Sequence, residues 1–223
     1  MARYDSQHKH VTRGRILESA GRRLKRDGID SSGIAALMAD AGLTNGAFYA
    51  HFASKEDLVA AVVREELRLQ SASFAELASG RAGVEQLVRA YLSQQHRDHR
   101  DVGCPSAALL DEIVRSTDET RGAYTEGAKT IVDEIAARLA PEQPESAHGK
   151  ALILFTMIIG TLQLARAVNE SDLSDATLAH GLQQALTLLE VEPTPNREVS
   201  LGDPWGRSEQ LTVKPPHSRG DPP

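Results

Sequence analysis

The sequence predicts an all-α protein, and three observations predict it. Alanine and leucine dominate the 223 residues, and runs of β-branched residues are few. Apolar residues recur at three- and four-residue intervals over most of the chain. Glycine, serine, threonine and proline stand where those stripes stop, as helix ends require. Hydrophobic content of 40% and charged content of 25% are those of a globular protein.

The first helix is expected from Thr12 to Arg26, with Ile16, Leu17, Ala20 and Leu24 on one stripe and Gly28 as its stop. Ser32 stands where an N-cap belongs for a short second helix. Its residues Ile34, Leu37, Met38 and Ala41 face one way, and Gly42 closes it. Thr44 can cap a third helix over 45–51. Ser54 can cap a fourth, with Ser54-x-x-Asp57 as a capping box, reaching about residue 78 through Leu58, Val62 and Leu69. SGRAG (79–83) is a break. Further helices are expected over 84–99, 105–116, 119–139, 147–168 and 175–190, with PEQPE (141–145) as a loop. The organisation reads as 1–53, 54–190 and a tail, 191–223. The tail holds seven of the ten prolines and reads as disordered. Trp205, the only tryptophan, lies there and reads as a stray aromatic, with docking of the tail as the alternative.

One cysteine, Cys104, rules out an internal disulfide and fits a reducing, cytoplasmic setting. The opening MARYDSQHKHVTRGR has no apolar h-region, so it is not a signal peptide. The longest apolar run, ALILFTMIIGTL (151–162), falls short of the ~20 residues that cross a bilayer. It reads as a core helix, and no membrane partner is expected. Net charge is −6, but residues 1–55 carry +4 and the remainder −10. A basic front on an acidic body fits an anion-binding module joined to something else.

The front is helix, short helix, tight turn, short helix: a helix-turn-helix joined by Gly42-Leu43-Thr44, with 45–51 in the recognition position. So short a helix is unstable alone. Phe48 and Phe52, four apart, are its expected anchors. Thr44, Asn45, Gly46 and Ala47 form its small-residue first turn, open to close approach by another surface. Free N–H groups and the helix dipole there suit a phosphate. Asn45 can pair with adenine and Ala47 can touch a thymine methyl. Tyr49, His51 and Lys55 lie within reach of backbone phosphates, and Thr12, Arg13 and Ser32 are placed to clamp flanking ones. A cap or a solvated polar residue explains each of these taken singly. Their joint placement on three helix N-termini is what points to double-stranded DNA.

These residues carry a resemblance. GRILESAGRRLKRDGIDSS, followed by IAALMADAGLTNGAFYAHFASKEDLVAAVV, resembles the N-terminal domain of the TetR (tetracycline-repressor) family of bacterial regulators over residues 13–63. Ile16-Leu17, Ala20, Leu24, Gly28, Ala41-Gly42, Thr44, Gly46, Tyr49, Phe52 and Lys55-Glu56-Asp57-Leu58 carry the pattern. It departs at Gly33, where a hydroxyl is usual, and at Met38, where alanine is usual. The resemblance implies DNA binding through 44–49, with phosphate contacts from Tyr49, His51 and Lys55. It also implies a larger C-terminal helical bundle that binds a small-molecule effector and forms a homodimer. Effector binding would then change the spacing of two DNA heads, most simply in a repressor.

The body offers its own signals. ALILFTMIIGTLQLA is apolar nearly all round and must be covered on every side. With the stripe Leu178, Leu182, Leu186 and Leu189, it suits a four-helix interface between two chains, an intramolecular core being the alternative. Tyr91, Cys104, Leu110, Tyr124, Phe155 and Gln163 are the effector-pocket candidates, each of them also suited to plain core. Pro105 fits a first helical position and puts Cys104 at the N-cap, where a thiol pKa is lowered. Sensing of oxidants or electrophiles there competes with inert packing. Gly-Cys at this point resembles one branch of TetR-like regulators, some of which the resemblance implies sense through it. His96 and His99 have ligand spacing, but no third ligand is near in sequence, so neither metal nor cofactor is expected. The competing reading is a thiol- or metal-dependent helical-bundle enzyme with an accessory basic front. No phosphate loop and no adjacent nucleophile–base pair supports it.

Overall fold

A computed structural model describes residues 2–190; the expectations for the tail and Trp205 lie outside the described residues. The chain begins with α1 (Ala2–Asp27), which starts ten residues before the expected Thr12. No proline or glycine precedes Gly14, so nothing interrupts the helix there. Gly28 ends it at φ 90°, a conformation open to glycine at little cost, and its N–H returns to the Leu24 carbonyl at 2.8 Å.

The second helix, α2 (Ile34–Asp40), is capped by Gly33 and not by Ser32. Gly33 offers no side chain to the first turn. Ser32 is fully buried, and its hydroxyl donates to the Gly28 carbonyl at 2.7 Å. The hydroxyl therefore ties the loop to the end of α1. α2 closes in a Schellman arrangement: Gly42 N–H to Ala39 O at 2.9 Å and Leu43 N–H to Met38 O at 2.9 Å. Gly42 takes φ 66° to make that turn.

The expected third helix is a single 3₁₀ segment, Asn45–Ala50. Six residues in this geometry have little stability of their own. Phe48 and Phe52, 0% and 2% exposed with centroids 5.8 Å apart, join Ile16, Ala20, Leu24, Leu37 and Met38 in one core. Each ring contributes roughly 1.5–3 kcal/mol by its burial. Ser54 then caps α3 (Lys55–Ser73), accepting the Asp57 N–H at 3.2 Å. The Asp57 carboxylate answers by accepting the Ala53 N–H at 2.9 Å. The box thus closes one residue earlier than the standard pattern.

The body is α4 (Gly80–Tyr91), α5 (Gln94–Asp98), α6 (Pro105–Val114), α7 (Asp118–Leu139), α8 (Pro144–Ala167) and α9 (Ser171–Glu190). No strand occurs among the described residues, so the all-α expectation holds. Several boundaries differ from the sequence reading: α4 starts at Gly80, inside the expected SGRAG break, and α9 starts at Ser171, four residues before the expected 175. α3 stops at Ser73, and Phe74–Glu76 tightens into a 3₁₀ turn over the buried Phe74. The expected helix 84–99 is two helices, because Ser93 turns out of the helix and caps α5 through the His96 N–H at 3.1 Å. α8 begins at Pro144, inside the expected loop, since proline fits a first helical position.

α7 packs along α3 on one side and α8 on the other, and α9 packs along α8. By length and apolar composition, α8 is the one helix among the described residues that could cross a membrane. Its residues Leu154, Phe155, Ile158 and Leu162 instead enter the protein core. Leu152, Ile153 and Leu164 of α8, and Leu173 of α9, stay about half exposed.

The front is held by packing of the 3₁₀ turn Arg100–Val102 on α1 and by two carboxylates, one from α6 and one from α3. Glu112 of α6 accepts the backbone N–H groups of Ile29 (2.6 Å) and Asp30 (3.1 Å). Glu66 of α3 pairs with the buried Lys25 at 2.5 Å. The Glu66 carboxylate lies so close over Gly21 that a Cβ there would overlap it.

Candidate DNA interface and effector cavities

The 3₁₀ segment divides its residues between two sides. Phe48 faces inward, whereas Thr44, Asn45, Gly46 and Tyr49 are exposed and Ala47 is half-buried. Thr44 occupies the N-cap position, yet its side chain makes no capping bond, so the hydroxyl faces outward. Tyr49 is 69% exposed and stands edge-to-face on Phe48, with centroids 5.1 Å apart at 88°. A buried ring thereby steadies an exposed one, leaving the phenol at the surface.

Around that segment are three cationic or titratable groups. Arg13 on α1 lies with Cζ 4.4 Å from the centroid of Phe52. Its Nη1 is buried and has no hydrogen-bond partner. His51 is half-buried, and its Nδ1 likewise lacks a partner. Burial, then the charges of Lys9 and Arg13, hold the His51 pKa below the ordinary histidine value. Lys55 is the first residue of α3 and is half-buried. Thr12 is half-buried on α1 beside Arg13. Ser32, also expected at this surface, is fully buried with its hydroxyl spent on Gly28, and Lys55 lines a cleft with Ile29, Asp30 and Glu112.

The six expected pocket residues do not share one pocket. Leu110, Tyr124, Phe155 and Gln163 line a cavity of about 450 Å³ between α6, α7 and α8, together with Val132 and Ile159. Its wall is mostly apolar; the Tyr124 hydroxyl donates to Ser106 Oγ at 3.1 Å. Burial raises the Tyr124 pKa, so the phenol stays a neutral donor. Tyr91 and Cys104 line a second cavity of about 480 Å³ with residues of α3 and α4, among them Gln70 and Leu87.

Cys104 is the N-cap of α6, and Pro105 is its first residue, as the sequence implies. The thiol is buried and donates to Gln70 Oε1 at 3.0 Å. His96 packs edge-on to Tyr91 at 4.7 Å. Its Nδ1 lies 2.8 Å from the Tyr91 carbonyl, and its Nε2 accepts the Cys104 N–H at 3.1 Å. That pair of bonds selects the neutral ring protonated on Nδ1, and burial lowers its pKa accordingly. Both nitrogens of His96 are therefore used inside the protein. His99 is exposed at the end of α5. No group of three or more His, Cys, Asp or Glu suited to a metal occurs among the described residues.

Sequence reading missed Glu112, Glu66, Lys25 and Gln70. Glu112 meets Ile29 across 83 residues, and Glu66 meets Lys25 across 41. No local pattern announces such partners.

The geometry can be set beside known proteins. Residues 16–62 match the family model described as bacterial regulatory proteins, tetR family. No curated protein matches. Among solved structures, E. coli NemR in its reduced form superposes with a TM-score of 0.69 at 19% identity, over 80% of this chain and 96% of that one. A TetR-family transcriptional regulator from Agrobacterium tumefaciens gives 0.65 at 21%, over 79% and 98%. A putative transcriptional regulator from Saccharomonospora viridis, solved with choline, gives 0.61 at 23%, over 80% and 95%. At such identities these structures speak for the fold, while the head is matched by its own sequence. Residues 16–62 thus match the tetR-family head, and the chain as a whole has a fold similar to that of solved TetR-family transcriptional regulators.

Proposed function

We propose that the chain acts as a cytoplasmic homodimeric repressor, released from its operator by a small molecule in the cavity between α6, α7 and α8. One observation carries the DNA part: the segment that buries Phe48 also exposes Thr44, Asn45, Gly46 and Tyr49. Asn45 and Ala47 read base edges, while Thr44, Tyr49, His51 and Lys55 meet phosphates, flanked by Thr12 and Arg13. The unspent donor of Arg13 supports that role. On this reading residues 1–53 are the DNA head and 54–190 the effector and dimer body.

The half-exposed leucines and isoleucine of α8 and α9 support the dimer, since two heads are needed to read paired half-sites. The mostly apolar cavity supports an organic effector, held by Leu110, Tyr124, Phe155 and Gln163. The similar fold solved with choline is that of a protein holding a small organic molecule. Effector releases DNA to the extent that it prefers the state with the wrong head spacing. A second input fits Cys104: oxidation or alkylation of its sulfur removes the thiol proton that bonds Gln70.

A gel shift with DNA upstream of the protein's own gene tests the reading. Tyr49→Phe and Lys55→Ala each weaken binding, and affinity falls steeply with salt. Catalysis without any affinity for DNA would overturn it and favour the helical-bundle enzyme. For the thiol, peroxide releases DNA from wild type and not from Cys104→Ser; equal release from both rejects that input.

A further inference from the structure

Phe52 is a buried ring, 2% exposed, and two nitrogen-bearing side chains rest on it at the surface of the head. Arg13 lies over its face with Cζ 4.4 Å from the centroid, and His51 stands beside it with ring centroids 6.5 Å apart. Lys9 comes four residues before Arg13 on α1, so the two fall on one side of that helix. Because Phe52 belongs to the core of the head, the places of Arg13 and His51 are set before any partner arrives. The charges that act on His51 are those of Lys9 and Arg13, and no carboxylate is among them. Glu65 of α3 lies near Arg13, but its two oxygens are spent on Arg68 at 2.7 and 2.8 Å. Nδ1 of His51 is covered and has no partner, and the residue is half-buried, so another molecule meets the ring at its Nε2 edge.

We propose that Lys9, Arg13 and His51 hold one backbone phosphate of DNA, and that His51 takes up a proton when it does so. The proposal rests on the DNA reading above; it adds Lys9 to the interface and a proton to the binding equilibrium. In the free head, burial and then the two neighbouring cations oppose charge on the ring, so it is neutral near pH 7. A phosphodiester among the three groups offsets Lys9 and Arg13 and accepts a charge-assisted hydrogen bond from the ring. The His51 pKa therefore stands higher in the complex than in the free chain. Above the bound pKa neither state carries the proton, and affinity does not vary with pH. As pH falls from the bound pKa to the free one, affinity for DNA rises. Acidification tightens the grip on DNA without any effector.

The test uses the full chain and a duplex from upstream of its own gene, titrated calorimetrically at constant ionic strength between pH 8 and pH 6. Affinity rises about tenfold toward pH 6, the equivalent of one unit of pKa difference between free and bound states. Heats measured in MES and in imidazole buffer at pH 6.5 differ, which reports uptake of a fraction of one proton. His51→Gln binds with an affinity that does not vary with pH and takes up no proton. Lys9→Met lowers the salt slope by about 0.9, as loss of one phosphate contact does, and takes up less proton because the free ring then charges more readily. His10→Gln, on the same stretch of α1, takes up as much as wild type. DNA binding without proton uptake overturns the proposal and leaves the repressor reading standing. Uptake that survives His51→Gln, or that disappears in His10→Gln, overturns it too. No binding to the duplex at any pH removes the repressor reading and this proposal together.

Discussion

The carboxylate of Glu112 accepts the backbone N–H of Ile29 at 2.6 Å, joining the last turn of α6 to the loop that ends α1. The same carboxylate accepts the Asp30 N–H and lies over Gly28, where an added Cβ would come within 2.9 Å of Oε1. Glu112→Ala leaves both N–H groups without this acceptor. Urea unfolding should show a loss of about 1–3 kcal/mol.

Gly28→Ala forces a side chain onto φ 90° and into Glu112. The expected cost is at least about 1–2 kcal/mol. Gly14→Ala is the control, because nothing lies within 4 Å of a Cβ there and the position is mid-helix. Alanine at 14 should stabilise by up to about 1 kcal/mol. Equal effects at the two sites, measured by chemical denaturation, would reject the account of Gly28.

Phe48→Ala should cost about 3–5 kcal/mol and abolish DNA binding, since the ring is fully buried. Tyr49→Phe should leave the melting temperature nearly unchanged and weaken operator binding alone. Thermal melts beside gel shifts separate the two residues. A Tyr49→Phe protein that binds DNA as well as wild type removes the phenol from the interface.

His96 makes stability depend on pH. Its folded pKa is lowered, by burial first and by Arg166 and Lys25 among the nearby charges, although its bond to the Tyr91 carbonyl opposes the shift. The unfolded chain therefore binds the proton more readily. Stability is complete above the unfolded histidine pKa of about 6.5 and is lost as pH falls below it. The melting temperature should drop between pH 7.5 and 5.5, and by less in His96→Gln. His51 shifts in the same direction and supplies part of the remaining slope.

Ile153 and Leu164 are 56% and 55% exposed on α8. Ile153→Asp with Leu164→Asp should convert a dimer to a monomer by light scattering, with cooperative melting retained. A dimer that survives both changes places the interface elsewhere.

The head was the legible part, because its signals are local. Phe48 and Phe52 sit four apart, Ser54 and Asp57 three apart, and Gly28 and Gly42 stand where stripes stop. Ser32 misled because a serine before an apolar run reads as a cap, whereas this one turns back to the Gly28 carbonyl. The break at Leu92–Ser93 interrupts no apolar pattern and was not legible. The split of the pocket was hidden for another reason. Tyr91 and Tyr124 both read as buried aromatics with a polar tip, and only the course of α6 assigns them to different cavities.

Gly21 and Gly28 lie seven residues apart, close to two turns of α1, and each admits a carboxylate of the body. A rod held at one point swivels; a rod held at two points along its length does not. On the proposed reading, a signal that shifts α3 or α6 alone is resisted at the other carboxylate. Such a signal would then reach the head as a joint displacement of the two helices.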